Sequence, residues 1–172
     1  MDYASQLQQN LKDYFEKLYF AVTNFIASNE SQEYKACSFL LTNKKIIYRQ
    51  AKITPAKQGQ FVTIWKRNSE GITAPFDWND EFDYFIVTVV REETMGQFIF
   101  PKNVLRDRGI ISYLNKDGKR GMRVYAPTEI VKSKQAITTQ KWQQNYYVSR
   151  EINTEELKKR LHHLLNYCES TL

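Results

Sequence analysis

The chain has 172 residues, 42% of them hydrophobic and 14% aromatic, with a net charge of +6. That composition excludes a disordered polypeptide and fits one domain, expected to run over residues 1–172. The first residues lack the basic-then-apolar pattern of a secretory leader and no run approaches 18 apolar residues, so the expected setting is the cytoplasm, with no membrane span.

In chain order, Leu7, Leu11, Phe15, Leu18, Val22 and Phe25 recur at steps of three and four. The spacing predicts an amphipathic helix over 5–28, with Ser5 as its cap and Asn29 as its stop. Strands are expected at 34–41 and 44–53 around a turn at 42–44, and a third at 60–67 after Gly59. An acidic loop, 68–81, precedes the apolar stretch 82–90, which reads as a central strand buried on both faces. A strand at 96–100, a short helix opened by Pro101 and a strand after the glycine-bearing turn 115–121 complete a sheet core at 34–126. Helices are expected at 135–149 and 153–168, the last capped by Asn153. The predicted fold class is α/β (α+β), a single mixed sheet of about five strands flanked by helices.

The charge is unevenly spread. Residues 34–69 carry eight basic side chains and no acidic one, and residues 70–95 carry one basic and seven acidic. Residues 101–150 hold eleven basic and three acidic side chains. Lys and Arg on paired strands would meet a nucleic-acid backbone without regard to sequence, and aromatics among them could stack on bases. The candidate binding residues are Lys52, Lys57, Gln60, Trp65, Lys66, Arg67, Lys102, Lys119 and Arg120, with Tyr48 and Phe61 as further stacking rings and Gly59 allowing close backbone approach. The competing account is a solvated, lysine-rich sheet edge, and the acidic loop could mask the basic face or mimic a phosphate within it.

Other chemistries find little support. No GxxxxGK[ST] or GxGxxG follows a strand, so nucleotide cradles of those types are absent. The adjacent His162 and His163 point about 100° apart and read as surface and core neighbours, not a metal pair. Cys37 and Cys168 are far apart, without CxxC spacing, and read as free thiols.

The segments AKITPAKQGQFVTIWKR (51–67), GQFIFPKNVL (96–105), GKRGMRVYAP (118–127) and TQKWQQNYY (139–147) together resemble the MepB family of small bacterial proteins. One of its members is encoded beside a multidrug efflux pump. The resemblance covers about residues 34–147. It implies a relative of the restriction-endonuclease fold and, through it, nucleic acid as the partner. Active members of that fold class hold Mg²⁺ with two carboxylates, one of them two positions before a lysine. Here Gln50 stands two before Lys52, where a carboxylate belongs. Asp83 is the candidate metal ligand, and Glu33 lies near the first strand. With neutral Gln50 in that place the constellation reads as degenerate. Three readings follow: a nucleic-acid-binding protein with a crippled site, an active Mg²⁺-dependent nuclease using Asp83, Lys52 and Glu33, and an accessory module docking an acidic protein partner.

Overall fold

A computed structural model describes residues 1–166 of the chain. Helix α1 (Tyr3–Glu16) is capped not by Ser5 but by Asp2, whose carboxylate accepts from the Ser5 amide at 2.8 Å. It ends twelve residues before the expected helix end at 28. Tyr19 adopts φ 65°, and the amides of Tyr19 and Phe20 donate to the carbonyls of Glu16 and Phe15, both at 3.0 Å. This paired closure usually employs glycine, so a tyrosine there hides the stop. The β-branched Val22, Thr23 and Ile26 then favour strand β1 (Val22–Ala27). Leu7, Leu11, Phe15, Leu18 and Val22 are buried in one cluster all the same. The stripe is real, but Leu18 follows the end of the helix, and Val22 and the half-buried Phe25 belong to a strand.

Strands β2 (Cys37–Leu41) and β3 (Lys44–Gln50) form the expected hairpin, with Thr42 at φ 56° in the turn. The expected strand 44–53 breaks at buried Ala51, and β4 (Lys52–Ile53) joins a different sheet. Likewise 60–67 divides at buried Ile64 into β5 (Gln60–Thr63) and β6 (Trp65–Arg67). The acidic loop contains a short strand, β7 (Thr73–Pro75). Then come β8 (Tyr84–Arg91), β9 (Thr94–Pro101), α2 (Lys102–Asp107) and β10 (Gly121–Val124). Helix α3 (Lys134–Gln143) stops before the expected 149, because Tyr147 begins strand β11 (Tyr147–Ser149). Gly96 permits this pairing: a Cβ there would lie 2.0 Å from the Tyr147 hydroxyl. Helix α4 (Thr154–Leu165) carries the expected Asn153 cap, its amide oxygen 3.0 Å from the Glu156 amide. The expected end of that helix at 168, and Cys168 with it, lie outside the described residues.

The main sheet has six strands, not about five, in the order β1-β2-β3-β8-β9-β11. It is mixed, because β3 and β8 run parallel while their neighbours pair antiparallel. Strand β8 is the buried central strand, as its apolar run predicts. On one face α1 and α4 cover Tyr48, Tyr84, Ile86 and Ile99. On the other, Phe85, Val87, Phe98 and Phe100 pack under a second sheet of order β10-β5-β4, together with Leu105 of α2. The small sheet therefore stands above the large one, and the chain crosses between them at Ala51. Strands β6 and β7 form a separate pair. Among the described residues no helix is long and apolar enough to cross a membrane.

Candidate nucleic-acid interface

The small sheet and α3 meet in a concave cradle of about 460 Å³. Four cations line it: Lys57 from the turn before β5, Arg108 after α2, Lys119 before β10, and Arg123 within β10. Among the described residues no carboxylate lines it. Its aromatic walls are Phe61, Tyr125 and Trp142.

Two glycines allow these rings to lie against backbone. A Cβ at Gly59 would come 2.5 Å from the Tyr125 ring, and one at Gly121 would come 2.5 Å from the Phe61 ring. Gly59 also has φ +71°, which few other residues adopt readily. The close approach that glycine permits there is thus taken by Tyr125. Helix α3 is bolted to the free edge of β10 by Gln143, which is fully buried. Its Oε1 accepts from the Tyr125 amide and its Nε2 donates to the Arg123 carbonyl, both at 2.9 Å. The side chain satisfies the two backbone groups an added strand would otherwise pair. Gln140 similarly donates to the carbonyls of Ala126 and Glu129 at 2.9 Å. These ties hold the cradle walls at a fixed separation.

The cations are held but not neutralised. Arg108 stacks over Trp142, 5.1 Å from guanidinium carbon to ring centroid. Arg123 donates to the Gln58 carbonyl at 3.0 Å and to the Thr54 hydroxyl, both neutral acceptors. Lys57 and Lys119 are exposed. A shallower depression lined by Phe61, Thr63, Trp65, Thr73, Arg120 and Gly121 adjoins the cradle through Phe61 and Gly121. Arg120 donates to the Thr73 carbonyl at 3.3 Å there. Lys52 sits nearby: its ammonium lies 5.0 Å over the Tyr34 ring, which meets Phe61 edge-on at 6.2 Å.

Other predicted contacts are placed differently. Gln60 is buried and donates to the Val90 carbonyl at 3.0 Å, so it ties the small sheet to β8 instead of facing solvent. Tyr48 is buried too, with its hydroxyl 2.8 Å from that of Thr88, and is unavailable for stacking. Lys66 pairs with Asp80 and Arg67 with Glu30. Lys102 stands at the acidic end, donating to the Asp80 carbonyl and lying 4.9 Å over the Phe82 ring. Burial lowers its pKa, against the opposing pull of Asp80, Asp83, Asp77 and Glu81. His162 and His163 are both exposed, His162 against Phe20 with ring centroids 4.7 Å apart, so neither is a core residue.

The Mg²⁺ constellation does not assemble. In the parallel β3–β8 pair Gln50 stands opposite Thr88, five residues beyond Asp83. At about 3.3 Å per residue that puts Asp83 and Gln50 roughly 17 Å apart along the strands. Asp83 instead clamps the start of the pair, its Oδ2 accepting from the Lys45 amide at 2.7 Å. Glu33 is exposed beside Tyr34, at the Lys52 end. Among the described residues no three His, Cys, Asp or Glu side chains gather in a metal-holding group. The candidates therefore do not fit the ion that the resemblance implies.

Arg108, Arg123, Tyr125 and Trp142 were absent from the residues expected to bind. The signal lay in the basic excess of 101–150, but nothing local in sequence showed that β10 and α3 would join the turn around Lys57. The chain belongs to the MepB-like family, whose model matches residues 28–149. It is similar to the crystal structure of MepB, at 29% identity and a TM-score of 0.76, over 89% of this chain and 100% of the other. A bacterial homing endonuclease aligns over 97% of this chain and 93% of its own, at 15% identity and a TM-score of 0.44. No curated protein matches the chain.

Proposed function

We propose that this member of the MepB-like family is a nucleic-acid-binding protein that grips the phosphate backbone in the cradle between β10 and α3, without cleaving it. The observation that carries the reading is convergence. Segments 51–67, 118–127 and 139–147, distant in sequence, bring Lys57, Lys119, Arg123 and Trp142 to one concavity that no carboxylate of the described residues lines. Cations supply affinity that is independent of sequence, and the rings offer faces on which bases stack. Cleavage is no part of the proposal, since Asp83 and the Gln50–Lys52 pair stand at opposite ends of their strands.

The test is binding of labelled single- and double-stranded DNA and RNA, with and without Mg²⁺, over a range of salt. Four phosphate contacts predict that the logarithm of affinity falls with the logarithm of salt at a slope of about −3. Mg²⁺ should produce no cut product. No binding of any probe at low salt would remove the proposal and favour an acidic protein as the partner.

A further inference from the structure

A second cavity, of about 420 Å³, lies away from the cradle. Its floor is the face of β2 and β3 carrying Ser38, Ile47 and Arg49; its other wall is Trp65 of β6 with Phe76 and Phe82. The walls are mainly apolar, and the volume suits one small ligand of one or two rings.

Arg49 is the anomaly. It is only 4% exposed, yet among the described residues it has no carboxylate partner. One Nη donates to the carbonyl of Tyr48 at 2.8 Å, and Nε has no hydrogen-bond partner at all. Its guanidinium lies 5.7 Å and 6.0 Å from the Phe85 and Phe76 ring centroids, which offer only weak compensation. Burial lowers its pKa to about 10, against the opposing pull of Cys37, so it remains charged at neutral pH. The acids at the rim are committed elsewhere: Glu30 to Arg67, Asp80 to Lys66, and Glu81 to Lys45. A desolvated cation facing an apolar cavity is costly unless an anion enters to pair with it.

We infer that this cavity is a binding site for a small organic carboxylate with a flat apolar body, its carboxylate held by Arg49 and its body between Ile47, Trp65 and Phe82. A guanidinium takes a carboxylate through two parallel N–H donors, and Nε with a neighbouring Nη forms such a fork. The site shares no lining residue with the cradle, so it stands independently of nucleic-acid binding.

The test uses 2-naphthoate and its neutral isostere 2-naphthamide in titration calorimetry with the full chain. The expected result is one site for naphthoate, with the amide at least tenfold weaker. Arg49→Met keeps the volume, removes the buried charge and should melt no lower than the parent while losing that preference. Ser38→Leu keeps Arg49, fills the cavity and should abolish naphthoate binding, which decides the matter if Arg49→Met fails to fold. Lys119→Glu, in the cradle, should leave naphthoate binding unchanged whatever it does to nucleic acid. Equal binding of acid and amide, survival of naphthoate binding in Ser38→Leu, or inorganic phosphate binding as tightly as naphthoate would each overturn the assignment.

Discussion

Two stretches of this chain are rich in lysine and arginine, and folding treats them in opposite ways. Residues 34–69 contain no acidic side chain, yet much of their charge is consumed internally. Lys45 pairs with Glu81 at 2.9 Å, Lys66 with Asp80, Arg67 with Glu30, and Arg49 is buried. The acidic loop that follows in sequence folds back over the basic strands. Residues 101–150 are less purely basic, but Arg108, Lys119 and Arg123 converge with Lys57 in a cradle that no carboxylate of the described residues lines. Charge density along a chain is thus a poor guide to charge on a surface, because opposite runs close in sequence tend to find each other.

The contrast makes its largest demand on charge reversal. Arg108→Glu with Lys119→Glu should weaken nucleic-acid binding by roughly a hundredfold or more at low salt and flatten the salt dependence by about two contacts, near 0.7 to 0.9 each. Lys66→Ala with Arg67→Ala should change affinity by less than about threefold, because both cations already have partners. Anisotropy titrations of the two double variants, side by side, settle which stretch binds. Equal losses would erase the distinction.

The fold was legible where local pattern and burial agree. The apolar run at 82–90 announced β8, and Asn153 with two glutamates marked the start of α4. It was illegible where the decisive feature was an ordinary residue in an unusual conformation. Tyr19 closes α1 at positive φ, and Ala51 and Ile64 carry strands from one sheet to another without a glycine or proline at the break. Half of the cradle was legible as well: Lys57 and Lys119 were expected, but Arg123 and Trp142 gain their place only through Gln143, whose capping of a strand edge has no sequence signature. Gln60 shows the converse error, a polar residue in a basic run whose amide serves the interior.

A smaller effect separates stacking from charge. Trp142→Ala should reduce affinity by about 1–3 kcal/mol if its ring meets a base, with the salt slope retained. Trp142 also packs on Phe100, ring centroids 5.5 Å apart, so a thermal melt must accompany the titration. An affinity loss at a temperature where the variant is fully folded supports stacking. An unchanged affinity there reduces Trp142 to a platform for Arg108.

Smaller again is the effect of cradle shape. Gly59→Ala adds a methyl 2.5 Å from the Tyr125 ring at a φ of +71°. Strain and displacement together should cost roughly 1–3 kcal/mol of stability. Tyr125 lines the cradle, so displacing its ring alters the cradle wall, and binding should fall severalfold with the number of charge contacts, and hence the salt slope, unchanged. The matching change in the basic strands, Thr63→Ala, should leave binding alone.

The smallest expected change probes the masking itself. Glu30 receives both Nε and an Nη of Arg67, and both side chains are substantially exposed. An exposed pair of this kind is worth only about 0–1 kcal/mol, so Glu30→Gln should lower the melting temperature by a few degrees at most. Removing the carboxylate frees one positive charge on the surface beside Trp65, next to the depression that adjoins the cradle. If masking is what keeps Arg67 from binding, affinity for nucleic acid should rise by about two- to threefold at low salt, and the slope should steepen by no more than one contact. The gain should vanish near physiological salt, where an exposed charge is screened within about 8 Å. A larger gain that persists at high salt would mean that Arg67 had joined the binding face as a full phosphate contact, and the site would then extend from the cradle past Trp65, with Glu30 as the acid that otherwise closes off its far end.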